Sequence, residues 1–299
     1  MSVQVTSGAV SPAGKQNPKR KRFMGSRISP PVQLLLYLLL VSVAVVVGMP
    51  FLIMLLTSFK FPTDIISYPP RFLPTQWTVT NYQLVWTQLP FAMLVRNSLV
   101  YSFSITLISL FFDSMCAYAL ARLNFRGRNV VFLAILATMM VPVQVTLVPL
   151  FFNLFELGWI NTFQGLIVPR LTSAFGIFLL RQFFISLPRD FEDAARIDGA
   201  SEFRIYWQIV LPLSGPAIAT LFVFHFMYNW NDFLWPLIVT TTANMRTLPT
   251  GLALFMGEHN IEYGTLMAGA TIAALPLIIA FLFAQRYFVA GIALTGIKE

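Results

Sequence analysis

Six stretches of this chain are apolar for long enough to cross a bilayer, and the polar residues gather in the short segments between them. A hydrocarbon core about 30 Å thick needs roughly 20 apolar residues of helix. Residues 32–57, 99–121, 130–150, 165–184, 215–239 and 266–288 provide such lengths, and the first run holds no charge. The pattern predicts an all-α integral membrane protein with six transmembrane helices surrounded by membrane lipid. The first run and its leader are both too long for a cleavable signal. Pro142, Pro149 and Pro169 lie in or beside the third and fourth runs, where each is expected to kink or break a helix. Between the first two runs, residues 61–91 carry Pro62, Pro69, Pro70, Pro74 and Pro90 with Trp77 and Trp86. They read as an irregular outer loop with aromatics at the interface.

Composition narrows the class. The 299 residues are 57% hydrophobic and only 11% charged, against about 25% charged in soluble domains. A soluble enzyme could not cover its surface with so few charges. One cysteine, Cys116, excludes a thiolate cluster, and two histidines, His225 and His259, speak against a metal site. The net charge of +8 is unevenly placed: Lys15, Lys19, Arg20, Lys21, Arg22 and Arg27 precede the first run with no acid among them. Residues 1–31 therefore read as a disordered basic tail. Lys19 to Arg22 would suit a nucleic-acid patch elsewhere, but beside a membrane span it sets topology, and no nucleic-acid partner is expected. With the N-terminus in the cytoplasm, fifteen Lys and Arg fall on inner segments and three on outer ones, which predicts that both termini are cytoplasmic.

The segment from Ser186 to Pro212, between the fourth and fifth runs, differs from the rest. It holds five of the twelve acids: Asp190, Glu192, Asp193, Asp198 and Glu202. Pro188 suits a first helical turn, and acids just after it complement the helix dipole. A short helix is expected through Ala194 and Ala195 to Ile197, ended by a turn at Asp198-Gly199. Ser201 can cap a second helix carrying Phe203, Tyr206, Trp207 and Val210, which Pro212 should stop. The product is a cytosolic helix–turn–helix elbow with a partly apolar face. On the residues alone, an amphipathic loop lying on the headgroups is an equal reading.

This stretch resembles the signature of ABC importer permeases, in which Glu-Ala-Ala is followed after three residues by Gly and after nine more by Ile-x-Leu-Pro. Here the pattern falls on Asp193, Ala194, Ala195, Gly199, Ile209, Leu211 and Pro212, with Asp in place of the first Glu and Glu192 just before it. The likeness extends over most of residues 32–299. Tyr118 to Arg122 with Gly127, Met140-Val141-Pro142, Leu157-Gly158 with Asn161-Thr162, and Trp230 to Leu237 are similar to carbohydrate permeases of the maltose type. So is the closing tail from Gly291 to Lys298, which in that family enters the ATPase interface. The resemblance implies an importer transmembrane domain over 32–299 with a coupling loop at 186–214. Glu192, Asp193, Ala194, Ala195, Asp198, Gly199, Ile209, Leu211 and Pro212 would transmit the movement of the ATPase. It further implies a second, different permease subunit, two ABC ATPase subunits, an extracytoplasmic sugar-binding protein, and residence in a bacterial or archaeal inner membrane. The cargo class would be sugars, with polyols and glycerol phosphate open.

The chain itself has no phosphate loop, since its Gly14-Lys15 continues with Gln16. ATP must then be bound by a partner, so no cofactor and no enzymatic chemistry are expected of this subunit. Within the fifth run, Tyr228, Asn229, Asn231 and Asp232 combine an aromatic face with hydroxyl-binding groups and form a candidate substrate pathway; an interfacial belt is the alternative. Asp113 in the second run reads as an interhelical hydrogen-bonding residue or, less simply, a proton relay. A relay would point to an ion- or proton-coupled secondary transporter, which leaves the elbow unexplained. A membrane hydrolase could use His225 and Asp232, but no Gly-x-Ser-x-Gly accompanies them.

Overall fold

The computed structural model describes residues 29–257 and 261–295. Most of the basic tail at 1–31, His259 and the end of the C-terminal tail lie outside these residues. Among the described residues, four helices are long and apolar enough to cross a membrane, and two sharply bent helix pairs raise the number to six if each pair is one span.

The chain divides into two units, one to Pro50 and one from Phe51. The body of the first is the leading part of α1 (Pro30–Ser58), whose Leu and Val side chains are exposed along its length. Such a helix is apolar all round, as lipid or a partner helix requires.

In the second unit, the segment expected to form an outer loop is more ordered than its prolines suggest. It contains α2 (Pro62–Ile65) and α3 (Thr80–Gln88). Asp64 accepts hydrogen bonds from the Thr75 backbone N–H (2.9 Å) and hydroxyl, and these hold its carboxyl below the usual range. Asn81 donates to the carbonyls of Ser58 and Lys60. Side-chain bonding to backbone thus replaces the regular ladders that proline denies. Trp77 and Trp86 remain exposed.

The organising element is α4 (Phe91–Arg122), 32 residues and therefore about 48 Å long, more than a bilayer core needs. Its buried face is polar in the middle: Asn97, Ser98, Ser102, Thr106, Ser109, Asp113 and Ser114 all point inward. In lipid such groups must face the bundle, where Ser98, Asp113 and Ser114 bond to α14, the start of α8 and Tyr206. Around α4 pack α8 (Ala174–Ser186), α12 (Gly215–Trp230) and α14 (Leu248–Leu252), while α15 (Tyr263–Thr295) packs on α12 and α3. Gly176 of α8 is required by this packing, because a Cβ there would collide with the Asp113 carboxylate.

Several spans are interrupted. The third run is two helices, α5 (Arg128–Thr138) and α6 (Val143–Glu156), bent by 93°. The break falls at Pro142, which holds an extended conformation (ψ 132°) and disfavours helix in the residue before it. Pro149, expected to disturb its helix, sits inside an α6 that runs through it unbroken. The fourth run consists of α7 (Phe163–Ile167), a 3-10 turn Val168–Arg170 around Pro169, and α8. The fifth is not one helix to 239: α12 ends at Trp230 and α13 (Leu234–Val239) restarts after Asp232. Pro236 has no N–H for the Asp232 carbonyl, and the Asp232 carboxylate instead accepts from the Trp235 N–H (3.4 Å).

Candidate functional site

Two regions carry chemistry, the elbow at the end of α4 and a cavity within the bundle. In the elbow, α9 (Asp190–Ile197) begins with three acids in its first turn and has Arg196 in its last, both favourable to the helix dipole. It ends in a Schellman motif. The N–H of Ala200 donates to the Ala195 carbonyl (2.9 Å) and that of Gly199 to the Arg196 carbonyl (3.0 Å), with Gly199 at φ +79°. The Ser201 hydroxyl then accepts the N–H of Arg204 and caps α10 (Glu202–Ile205).

Pro212, expected to stop the second helix, does not. A π-helical stretch Tyr206–Val210 leads into α11 (Leu211–Leu213), and the turn comes at Ser214, where the chain bends by 79° into α12. The Leu211 N–H reaches back five residues to the Tyr206 carbonyl. This wider register accommodates a proline ring that a regular turn would reject.

The named elbow residues separate into an outward and an inward set. Asp193, Ala194, Asp198, Gly199 and Pro212 are exposed, while Ala195, Ile209 and Leu211 are half-buried. Beside the outward set, Phe191, Ile197, Phe203 and Trp207 present large apolar side chains to solvent, Ile197 at 87% exposure. Glu192 belongs inside: its side chain is 3% exposed and lies 2.8 Å from Arg122 Nε. Arg196 joins the turns by pairing with Asp193 and Glu202 (2.8 Å each) and with Glu192 (3.5 Å). Hydrogen bonding to Arg196 holds the Glu202 carboxyl below its ordinary pKa.

The second region is a cavity of about 740 Å³ walled by α4, α6, α8 and α12. Arg170, from the interruption in the fourth run, forms an ion pair with Asp232, from the interruption in the fifth. Tyr101 of α4 donates to the same Asp232 oxygen (2.7 Å) and accepts from Arg170 (3.1 Å). The guanidinium also faces the rings of Tyr228 (5.7 Å) and Trp235 (5.8 Å). Of the four pathway candidates, Tyr228 and Asn229 line the cavity. Asp232 and Asn231 are not among the lining residues: Asp232 pairs with Arg170, and Asn231 is exposed with its amide donating to the Met227 carbonyl. Asp113 accepts from the Thr172 hydroxyl (2.7 Å) and the Ser173 N–H (2.9 Å), fixing the start of α8.

From the sequence, Arg170 reads as a charge entering the fourth run beside Pro169 and lying against a partner subunit, whereas within this chain it pairs with Asp232. Tyr101 carried no signal at all, because an aromatic in an apolar run looks the same whether it faces lipid or an ion pair.

A family model described as the inner membrane component of binding-protein-dependent transport systems matches residues 113–294. The chain is similar to the arabinooligosaccharides transport system permease protein AraQ of Halalkalibacterium halodurans, 36% identical over 278 residues, 92% of this chain and 100% of that one. It is also similar to the trehalose/maltose transport system permease protein MalG of Thermococcus litoralis, 34% identical over 272 residues, 89% and 97% of the two chains. Among solved structures, a chain of a bacterial ABC transporter involved in import of the acidic polysaccharide alginate superposes with a TM-score of 0.78 at 26% identity, covering 88% of this chain and 98% of that one. Because the match takes in α4 from Asp113 onward, the whole elbow and the far wall of the cavity, the chain belongs to the inner membrane components of binding-protein-dependent transport systems.

Proposed function

We propose that this chain is one of two permease subunits of an ATP-driven ABC importer for sugars, with six spans and both termini in the cytoplasm. The observation that carries the reading is the elbow. A tight Schellman turn holds Asp193 and Ala194 outward beside Phe191, Ile197, Phe203 and Trp207. An apolar patch with charged neighbours, on the side where basic residues accumulate, suits a soluble protein rather than lipid acyl chains. Its partner is an ATPase subunit, since this chain has no phosphate loop of its own.

Closure of the ATPases would move the elbow and switch the bundle between inward- and outward-facing states. ATP can drive that change only by favouring one state over the other. A different permease subunit supplies the other half of the passage, and an extracytoplasmic binding protein delivers the sugar. The cavity with Tyr228 and Asn229 contributes part of the wall. A secondary transporter is disfavoured because it leaves the elbow without a role. The test is to express the chain with its genomic neighbours, purify it in mild detergent and identify what accompanies it. A single cysteine placed at Ala194 should react with an impermeant reagent only from the cytoplasmic side and cross-link to a nucleotide-hydrolysing subunit. Labelling from outside, or uptake that persists after ATP depletion, would overturn the reading.

A further inference from the structure

We infer that α4 as a whole is a transmission element joining the elbow to the cavity wall, with Arg122 and Glu192 as its positioning pair. Ser114, Tyr118 and Arg122 follow one another at four-residue intervals, so they lie on one face of the helix over about 12 Å. Each grips a different part of the elbow. Ser114 and the Tyr206 hydroxyl are 2.8 Å apart. Tyr118 donates to Glu202 (2.7 Å). Arg122 pairs with Glu192 (2.8 Å) and donates from Nη2 to the Leu187 carbonyl (2.8 Å). Both helical arms of the elbow and the segment leading into it are thus fastened to α4 without any covalent link.

Farther along, the same helix presents Asp113 to the start of α8 and Tyr101 to the Arg170–Asp232 pair. A displacement of the elbow therefore reaches the cavity wall through α4 as well as through the chain connections into α8 and α12. The charge placement follows from helix geometry. Successive residues point about 100° apart, so adjacent acids cannot share a face: Glu192 turns in and Asp193 turns out. The inner pair is almost wholly buried, at 2% and 3% side-chain exposure. Buried ion pairs contribute little net stability, and their best-attested use is to fix one arrangement over its alternatives. That suits a contact whose role is to keep the elbow and α4 in register during movement.

The inference rests on the elbow docking an ATPase, and the experiment separates the two claims. The importer complex, reconstituted in proteoliposomes with its binding protein, is assayed for sugar imported per ATP hydrolysed. Glu192→Gln and Arg122→Gln should each lower that ratio about tenfold, the scale of a coupling contact, and the exchange Arg122→Glu with Glu192→Arg should recover most of it. Ser114→Ala with Tyr118→Phe removes two hydroxyls and no charge, and should lower the ratio severalfold even if the charge variants fail to insert. An unchanged ratio in the hydroxyl variant, or an exchange no better than the single variants, overturns the inference. Failure of the wild-type chain to hold an ATPase overturns the docking reading, and this inference with it.

Discussion

The Arg170–Asp232 pair offers a quantitative test of how the interrupted spans are held. Its side chains are 18% and 10% exposed, so neither charge is well hydrated once its partner is gone. Asp232→Asn leaves the Arg170 guanidinium between two aromatic rings with only Tyr101 for company, and Arg170→Met leaves the carboxylate likewise. Breaking a buried pair from one side costs about 3–5 kcal/mol. The residual exposure places this case near the lower end, about 3 kcal/mol, roughly a hundredfold in the unfolding equilibrium. Removing both charges leaves no orphan, so the double variant should be about as stable as either single one or better. Equilibrium unfolding of the purified chain in mixed detergent with increasing SDS, followed by tryptophan fluorescence, gives the three free energies. A coupling energy of about 3 kcal/mol is expected from the cycle. Additive losses, with the double variant the least stable, would show that the two side chains act separately and would refute the assignment of the pair as the clamp between the two interruptions.

Gly199→Pro should uncouple ATP-dependent uptake while leaving membrane insertion intact, because φ +79° is closed to proline; wild-type uptake in that variant would contradict the turn's role. Gly176→Val should lower the unfolding midpoint, or block accumulation, by forcing α8 away from Asp113; unaltered expression and midpoint would show that the approach is not tight. Glu202 has its carboxyl depressed by Arg196, so its contribution is fully present above its ordinary value of 4.5 and disappears as pH falls through the folded value. Proteolysis of the elbow should therefore be constant from neutral pH down to about 5 and rise only below about 4; a rise already at neutral pH would contradict it.

The elbow was legible because its signals are local. A proline, three acids, a glycine and a serine at short range specify two helices and the turn between them, and a family signature overlays them. Pro212 misled for the same reason. Its effect on a regular helix is predictable, but the π-helical detour at Tyr206–Val210 depends on how Tyr206 meets α4. The adjacent acids show the limit most clearly: Glu192 and Asp193 are both carboxylates in the first turn of α9, and only the position of Arg122 makes one an internal partner. Tyr228, Asn229 and Asn231 form one group along the chain, but only the first two line the cavity.

From its letters alone this chain is a helical membrane protein, with an orientation expected from where lysine and arginine lie. Hydropathy and charge act residue by residue against a bilayer that is the same for every protein, so they need no fold to be read. The tertiary structure alone decides that α4 joins the elbow to the cavity, that Arg170 meets Asp232 across two interruptions, and which acid faces inward. Those outcomes depend on contacts between residues far apart in the chain, and inside a bundle a polar side chain has no meaning until its partner is in place.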